Sequence, residues 1–233
     1  AADGASWPAA IVGFCDLGRP SAPLVLDQMR AASPRLRGIR QQLHWHENPQ
    51  YRLAPRPDMM ANPEWRRGLA AVADRGLLFE LQVFMGQAEL AAALLRAFPS
   101  MRFVLAHAGM PEDISPDGFA AWREGLARLA THPNLATKLS GLGTFVHRND
   151  PELIARIVHA ALSLFGPERC LFGSNFPVEK LWTDYRSLLA AYLAALAHLP
   201  SEARHAVLAG NARRLYRLAD SGRLYALSAS ALP

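Results

Sequence analysis

The sequence predicts an α/β fold built on a parallel sheet. Three observations carry this. Short apolar runs alternate with longer amphipathic stretches along the 233 residues; the apolar runs show no polar alternation; and helix start and stop signals fall between them.

Six runs are predicted to be strands: 10–17, 36–45, 77–84, 102–107, 135–139 and 169–173. All are rich in Val, Ile, Leu and Phe and too short for helices. Nearly continuous apolar character is what a strand covered on both faces requires. Between them, Asn62-Pro63 reads as an N-cap followed by proline at the first helical position, and Gly76 as the residue after the helix. Asp150-Pro151 and Gly166 repeat the arrangement around 152–165. The Ala/Leu-rich stretch 188–199 is expected to be helical, with Ser201 and Asn211 capping two more helices after it. The chain thus reads as six βα units in one domain over 1–233, with C-terminal helices from about 183. An open doubly wound sheet is the alternative, but no Gly-rich phosphate loop follows the first strand.

Composition narrows the function. With 51% hydrophobic and 19% charged residues the chain has an ordinary globular profile. Its net charge of +5 comes mostly from arginines scattered over helical stretches, with no basic stripe interleaved with aromatics, so nucleic acid is not an expected partner. No apolar run approaches the roughly 20 residues of a membrane helix, and the first eight residues lack the features of a signal peptide. The only cysteines, Cys15 and Cys170, sit inside strand-like runs and are expected to be buried thiols, which favours a reducing, cytoplasmic setting. A small molecule is the expected partner, and a homo-oligomer is compatible with the composition.

In a barrel of parallel strands, chemistry sits where strands end. His107 closes one run before Ala108-Gly109-Met110-Pro111, placed as a metal ligand, general base or substrate donor, or as a satisfied histidine at the sheet edge. Lys138 and Ser140 share one strand face, and a lysine in so apolar a strand calls for an acidic partner or a ligand. Arg40, Gln42, His44 and His46 share parity. His44-Trp45-His46 has metal-binding spacing but lies where polar loop residues are common. Gln82 is a barrel-lining donor or a satisfied core amide. Gly173-Ser174-Asn175 follows the last strand, where these residues also favour a simple turn. The Pro-rich segment 49–63 is the longest loop and is placed to serve a site.

In order, Arg37-Gly-Ile-Arg-Gln, Phe79-Glu-Leu-Gln, Phe103-Val-Leu-Ala-His-Ala-Gly-Met-Pro, Lys138-Leu-Ser-Gly-Leu, Leu171-Phe-Gly-Ser-Asn-Phe-Pro-Val and the closing Asn211-Ala-Arg-Arg-Leu-Tyr resemble the lactonase-like, amidohydrolase-2 branch of the amidohydrolase superfamily. The resemblance runs from Ala10 to about Leu218. It implies a (β/α)8 TIM barrel, incomplete here: the six runs correspond to strands 3–8, and roughly 60 to 75 residues, two βα units, would precede them. It implies a hydrolase acting by water attack on a carbonyl, with a lactone or another cyclic ester or amide as substrate. Decarboxylases of the same superfamily and a metabolite-binding barrel without activity are the alternatives. By resemblance His107 is the matched histidine, catalytic or a zinc ligand; Asn175 orients water or substrate; Arg40, Gln82, Lys138 and Ser140 bind substrate. Two positions depart from the metal-dependent members: Asn175 stands where they carry a metal-binding, proton-accepting aspartate, and Gln82 where many carry a histidine. Neutral amides are weak zinc ligands, so low affinity for a divalent metal is expected.

Overall fold

The computed structural model of the chain describes residues 8–218. Six strands form one fully parallel sheet in sequential order: β1 (Ile11–Phe14), β2 (Leu36–Gln42), β3 (Leu78–Gln82), β4 (Phe103–Leu105), β5 (Leu135–Leu139) and β6 (Cys170–Phe172). Strand order without a reversal is that of a barrel wall, not of a doubly wound sheet. The helices α1 (Ala22–Ala32), α2 (Pro63–Asp74), α3 (Ala88–Ala97), α4 (Pro116–Ala130) and α5 (Pro151–Phe165) each link one strand to the next. The caps predicted for α2 and α5 are present. Asn62 Oδ1 accepts from the backbone N–H groups of Glu64 and Trp65, Asp150 caps α5 through Leu153, and Gly166 closes α5 at φ +73, a conformation costly for other residues.

The two sheet faces bury different things. Ile39, Phe79, Leu81, Phe103, Leu105, Leu135, Leu139 and Cys170 point outward into the large core under the helices. Leu78, Val104, Ala136 and Leu171 point inward and form a second core with Tyr216, Ala212, Leu215 and Leu218. The C-terminal segment therefore fills the lower barrel interior, which is why these strands are apolar on both faces.

The C-terminal helices are α6 (Tyr185–Ala195), α7 (Ser201–His205) and, after a π-helical turn at Ala206–Gly210, α8 (Asn211–Leu215). Here two expectations are corrected. Ser201 is the first helical residue, behind Pro200 as N-cap. Asn211 caps nothing: it is fully buried, and its amide donates to the carbonyls of Pro167 (2.6 Å) and Cys170 (2.7 Å), tying α8 to the start of β6. Of the expected single domain, residues 1–7 and 219–233, which include part of the expected leader-free start, lie outside the described residues. Cys15 and Cys170 are free and buried, and none of the described helices is long and apolar enough to cross a membrane.

Candidate active site

Strands β2–β6 present alternate residues to the barrel interior, and at their C-terminal ends these become polar. The resulting cavity has a volume of about 580 Å³ and is lined by Arg40, Gln42, His44, Gln82, His107 and Asn175 from the strand ends, with Tyr51, Phe84, Phe145 and His147 around its rim. Tyr51 belongs to the long 49–63 loop, which therefore borders this cavity.

His107 lies two residues beyond the end of β4, not on the strand as its apolar run suggested. The chain leaves β4 in a tight turn, Ala106–Gly109, in which His107 and Ala108 take left-handed φ values of 55° and 49°. Such backbone needs external support, and here Trp122 Nε1 donates to the Ala108 carbonyl (2.9 Å). Nδ1 of His107 lies 3.2 Å from the Ser140 carbonyl and 3.0 Å from Ser140 Oγ. A carbonyl can only accept, so that contact places the ring proton on Nδ1 and leaves Nε2 with a free lone pair. Burial, with Arg40 and Lys138 adding positive charge nearby, lowers the imidazole pKa to about 4. His107 is therefore neutral through the physiological range.

Asn175 follows β6 with φ 54°. Its Nδ2 donates to Glu179 Oε1 (3.3 Å), and Glu179, itself buried, accepts from Trp182 Nε1 (2.6 Å) at its other oxygen. This orients the amide with Oδ1 unengaged. Gly141, at φ +65°, allows the histidine and the amide to converge: a Cβ there would lie 2.7 Å from His107 Nδ1 and 3.1 Å from Asn175 Nδ2.

Beneath the cavity sits a charged cluster. Glu80, 1% exposed, accepts from Lys138 Nζ (2.6 Å) and Tyr216 Oη at Oε1, and from Arg40 Nε (2.8 Å) and Nη2 at Oε2. Burial alone would raise the Glu80 pKa; the Lys138 and Arg40 charges outweigh it and hold the carboxyl at about 2. Burial draws Lys138 below its usual value, with Glu80 opposing.

Of the residues singled out in the sequence, Arg40, Gln42, His44, Gln82, His107 and Asn175 meet at one cavity. Lys138 and Ser140 stand one layer behind it. Lys138 has the acidic partner its position demanded, and Ser140 orients His107. His44 and His46 both pack edge-on against Phe84; His44 is buried, while His46 Nδ1 accepts from Asn48 N–H (2.9 Å) and Nε2 faces Glu112 at 4.0 Å. Glu80, Tyr216, Glu179 and Gly141 were missed. Glu80 left a trace, a carboxylate inside an apolar strand in phase with Gln82. Tyr216 left none, because its partner is 136 residues away.

Zinc held tightly by protein takes three ligands or more. Among the described residues no group of three or more His, Cys, Asp or Glu side chains is placed to hold a metal ion. At the cavity floor His107 is flanked by the amides of Gln82 and Asn175, so the described residues do not by themselves fit the ion.

The amidohydrolase family model matches residues 1–218. The chain is 36% identical over 218 residues to the uncharacterised protein y4mH of Sinorhizobium fredii, with 93% of this chain and 72% of that one covered. It is 32% identical over 219 residues to an L-fucono-1,5-lactonase of Burkholderia ambifaria, covering 91% and 72%. A crystal structure of an amidohydrolase from Burkholderia multivorans with bound zinc superposes with a TM-score of 0.81 at 28% identity, covering 94% of this chain and 76% of that one. The six βα units are thus a large part of a TIM barrel, and the chain belongs to the amidohydrolase family of hydrolases.

Proposed function

We propose that this chain hydrolyses a small-molecule lactone or other cyclic ester by attack of water on the ring carbonyl. The observation that carries the reading is the neutral His107, with Nε2 unprotonated, converging with Asn175 over Gly141 at the floor of a cavity with an aromatic rim. The similarity to an L-fucono-1,5-lactonase supports the substrate class.

In this reading His107 Nε2 accepts the proton of the attacking water while Asn175 Oδ1 holds the water's second hydrogen, and the imidazolium then gives that proton to the ring oxygen as the acyl C–O bond breaks, which leaves the open hydroxy acid and neutral His107. With a pKa of about 4 the imidazole is a weak base, but the whole population is in the accepting form at neutral pH. Arg40, which lines the cavity, faces the carbonyl oxygen as negative charge develops there. Glu80 holds the guanidinium in place from below and cancels part of its charge. Gln42 and Gln82 hydrogen-bond substrate oxygens, and the aromatic rim covers the ring. None of these steps passes through a metal.

The decarboxylase alternative would have Arg40 and Lys138 clamp a substrate carboxylate. Both are drawn to Glu80, and Lys138 does not reach the cavity surface, so the geometry favours hydrolysis. The test is a panel of sugar 1,4- and 1,5-lactones followed by acid release, beside aromatic carboxylates followed by CO2 release, with wild type and His107→Gln. Lactone turnover that falls about 100-fold in the variant supports the reading. CO2 release without lactone turnover overturns it.

A further inference from the structure

A second cavity opens at the opposite end of the sheet, where β2 and β3 begin. Its volume is about 410 Å³, within the usual size of a small-molecule site, and four arginines line it: Arg30, Arg37, Arg75 and Arg217. They arrive from the end of α1, the start of β2, the turn after α2 and the C-terminal segment, so folding, not local sequence, gathers them.

The charges in this cavity do not balance. Asp27 answers Arg75 through two bonds of 2.8 and 2.7 Å and also feels the charge of Arg30, while Asp74 adds to the negative field at Arg75; the remaining Arg75 contacts go to the carbonyls of Ala71 and Pro23. Arg37 uses Nη1 on the carbonyls of Pro34 and Leu36, and Arg217 uses Nη2 on that of Gly76. Among the described residues Arg37 and Arg217 have no carboxylate partner, and Arg37 Nε is buried without an acceptor. Basic residues at helix C-termini often serve only to offset the helix dipole. That covers Arg30 and Arg75, at the ends of α1 and α2, but neither Arg37, on a strand, nor Arg217.

We infer that this cleft binds a phosphate-bearing anion. The two uncompensated guanidiniums of Arg37 and Arg217, with Arg30 and Arg75 beside them in the same cleft, match a multiply charged group, whereas a single carboxylate would leave one of the two unanswered. Their planar forks suit the tetrahedral oxygens of phosphate. The cleft lies at the end of the barrel that governs stability, away from the candidate active site, so the bound anion acts by stabilising the fold and touches no substrate.

The test uses the full chain. Binding of pyrophosphate, inorganic phosphate and ADP is measured by titration calorimetry, with thermal unfolding in parallel and ionic strength held constant with KCl. Wild type is expected to bind pyrophosphate saturably at one per chain, more tightly than phosphate, and to melt higher with it. Arg30→Gln with Arg217→Gln, two exposed side chains whose loss leaves the core intact, is expected to weaken binding at least tenfold while lactone turnover is unchanged. ADP binding tighter than pyrophosphate would identify a phosphorylated metabolite as the source of the phosphate; equal or weaker binding would identify free di- or polyphosphate. Absence of saturable pyrophosphate binding, or equal binding by wild type and the double variant, would overturn the inference. Neither result bears on His107, so this site and the proposed activity fail or stand separately.

Discussion

Glu80→Gln removes one charge from the cluster beneath the cavity and almost no volume. The carboxyl pKa is about 2 in the fold against about 4.5 for a free glutamate, a difference of 2.5 units. At about 1.4 kcal/mol per unit this is about 3 kcal/mol by which the folded state favours the ionised form at neutral pH. The variant loses that preference and leaves Lys138 and Arg40 in the interior without their counter-charge, and breaking a buried pair costs roughly 3–5 kcal/mol. Against a total stability of about 5–15 kcal/mol the loss is large, and it should lower the melting temperature by about 6–20 °C. The assay is urea unfolding at pH 7 with a parallel series at lower pH. The Glu80 pKa is depressed on folding, so its contribution is fully present above pH 4.5 and disappears as pH falls toward 2. Wild type should show that acid slope and the variant should lack it. A second variant, Glu80→Gln with Lys138→Met, removes the orphaned ammonium and should recover part of the loss. A loss under about 1 kcal/mol for Glu80→Gln, with the acid slope intact, would refute the idea that an ionised Glu80 organises the cluster.

His107→Gln should cost about 100-fold or more in turnover, and near-normal turnover would end its assignment. The same residue carries a pH signature: its pKa falls from 6.5 to about 4 on folding, so its contribution of about 3 kcal/mol is complete above pH 6.5 and is lost as pH drops through 6.5 to 4, a slope that His107→Gln should flatten in equilibrium unfolding. Asn175→Asp would set a second carboxylate against Glu179, where the amide now donates. The variant should be less stable at pH 7 and recover as pH is lowered and one of the two acids takes a proton, and a pH profile identical to wild type would refute that contact. Gly141→Ala meets both a left-handed φ of +65° and a Cβ only 2.7 Å from His107 Nδ1. It should lose roughly 1–2 kcal/mol of stability together with most of the turnover, and unchanged kcat would show that the His107–Asn175 convergence does not matter.

The sequence by itself determined the elements and their order. Apolar runs with no polar alternation, Asn62-Pro63 and Asp150-Pro151 at helix starts, and Gly76 and Gly166 at helix ends are local signals, because strand burial and capping depend on residues a few positions apart. Parity alone placed Lys138 with Ser140, and Arg40 with Gln42, on one face of their strands, and the strand-end rule pointed to Arg40, Gln82, His107 and Asn175, which border the cavity. What only the tertiary structure decided depends on distance along the chain. Tyr216 reaches Glu80 across 136 residues, and α8 fills the barrel interior, a place no local pattern marks. Asn211 reads locally as a cap and Ser201 likewise, yet one is a buried tie to β6 and the other a first-turn residue, because tertiary hydrogen bonds and packing override such local preferences. The division between residues that face the cavity and those that stand behind it also lies beyond the sequence. Arg40 on β2 and Lys138 on β5 are both inward, with two strands between them, and the buried carboxylate of Glu80 on β3, drawing both charges toward itself, holds Lys138 below while Arg40 still borders the cavity.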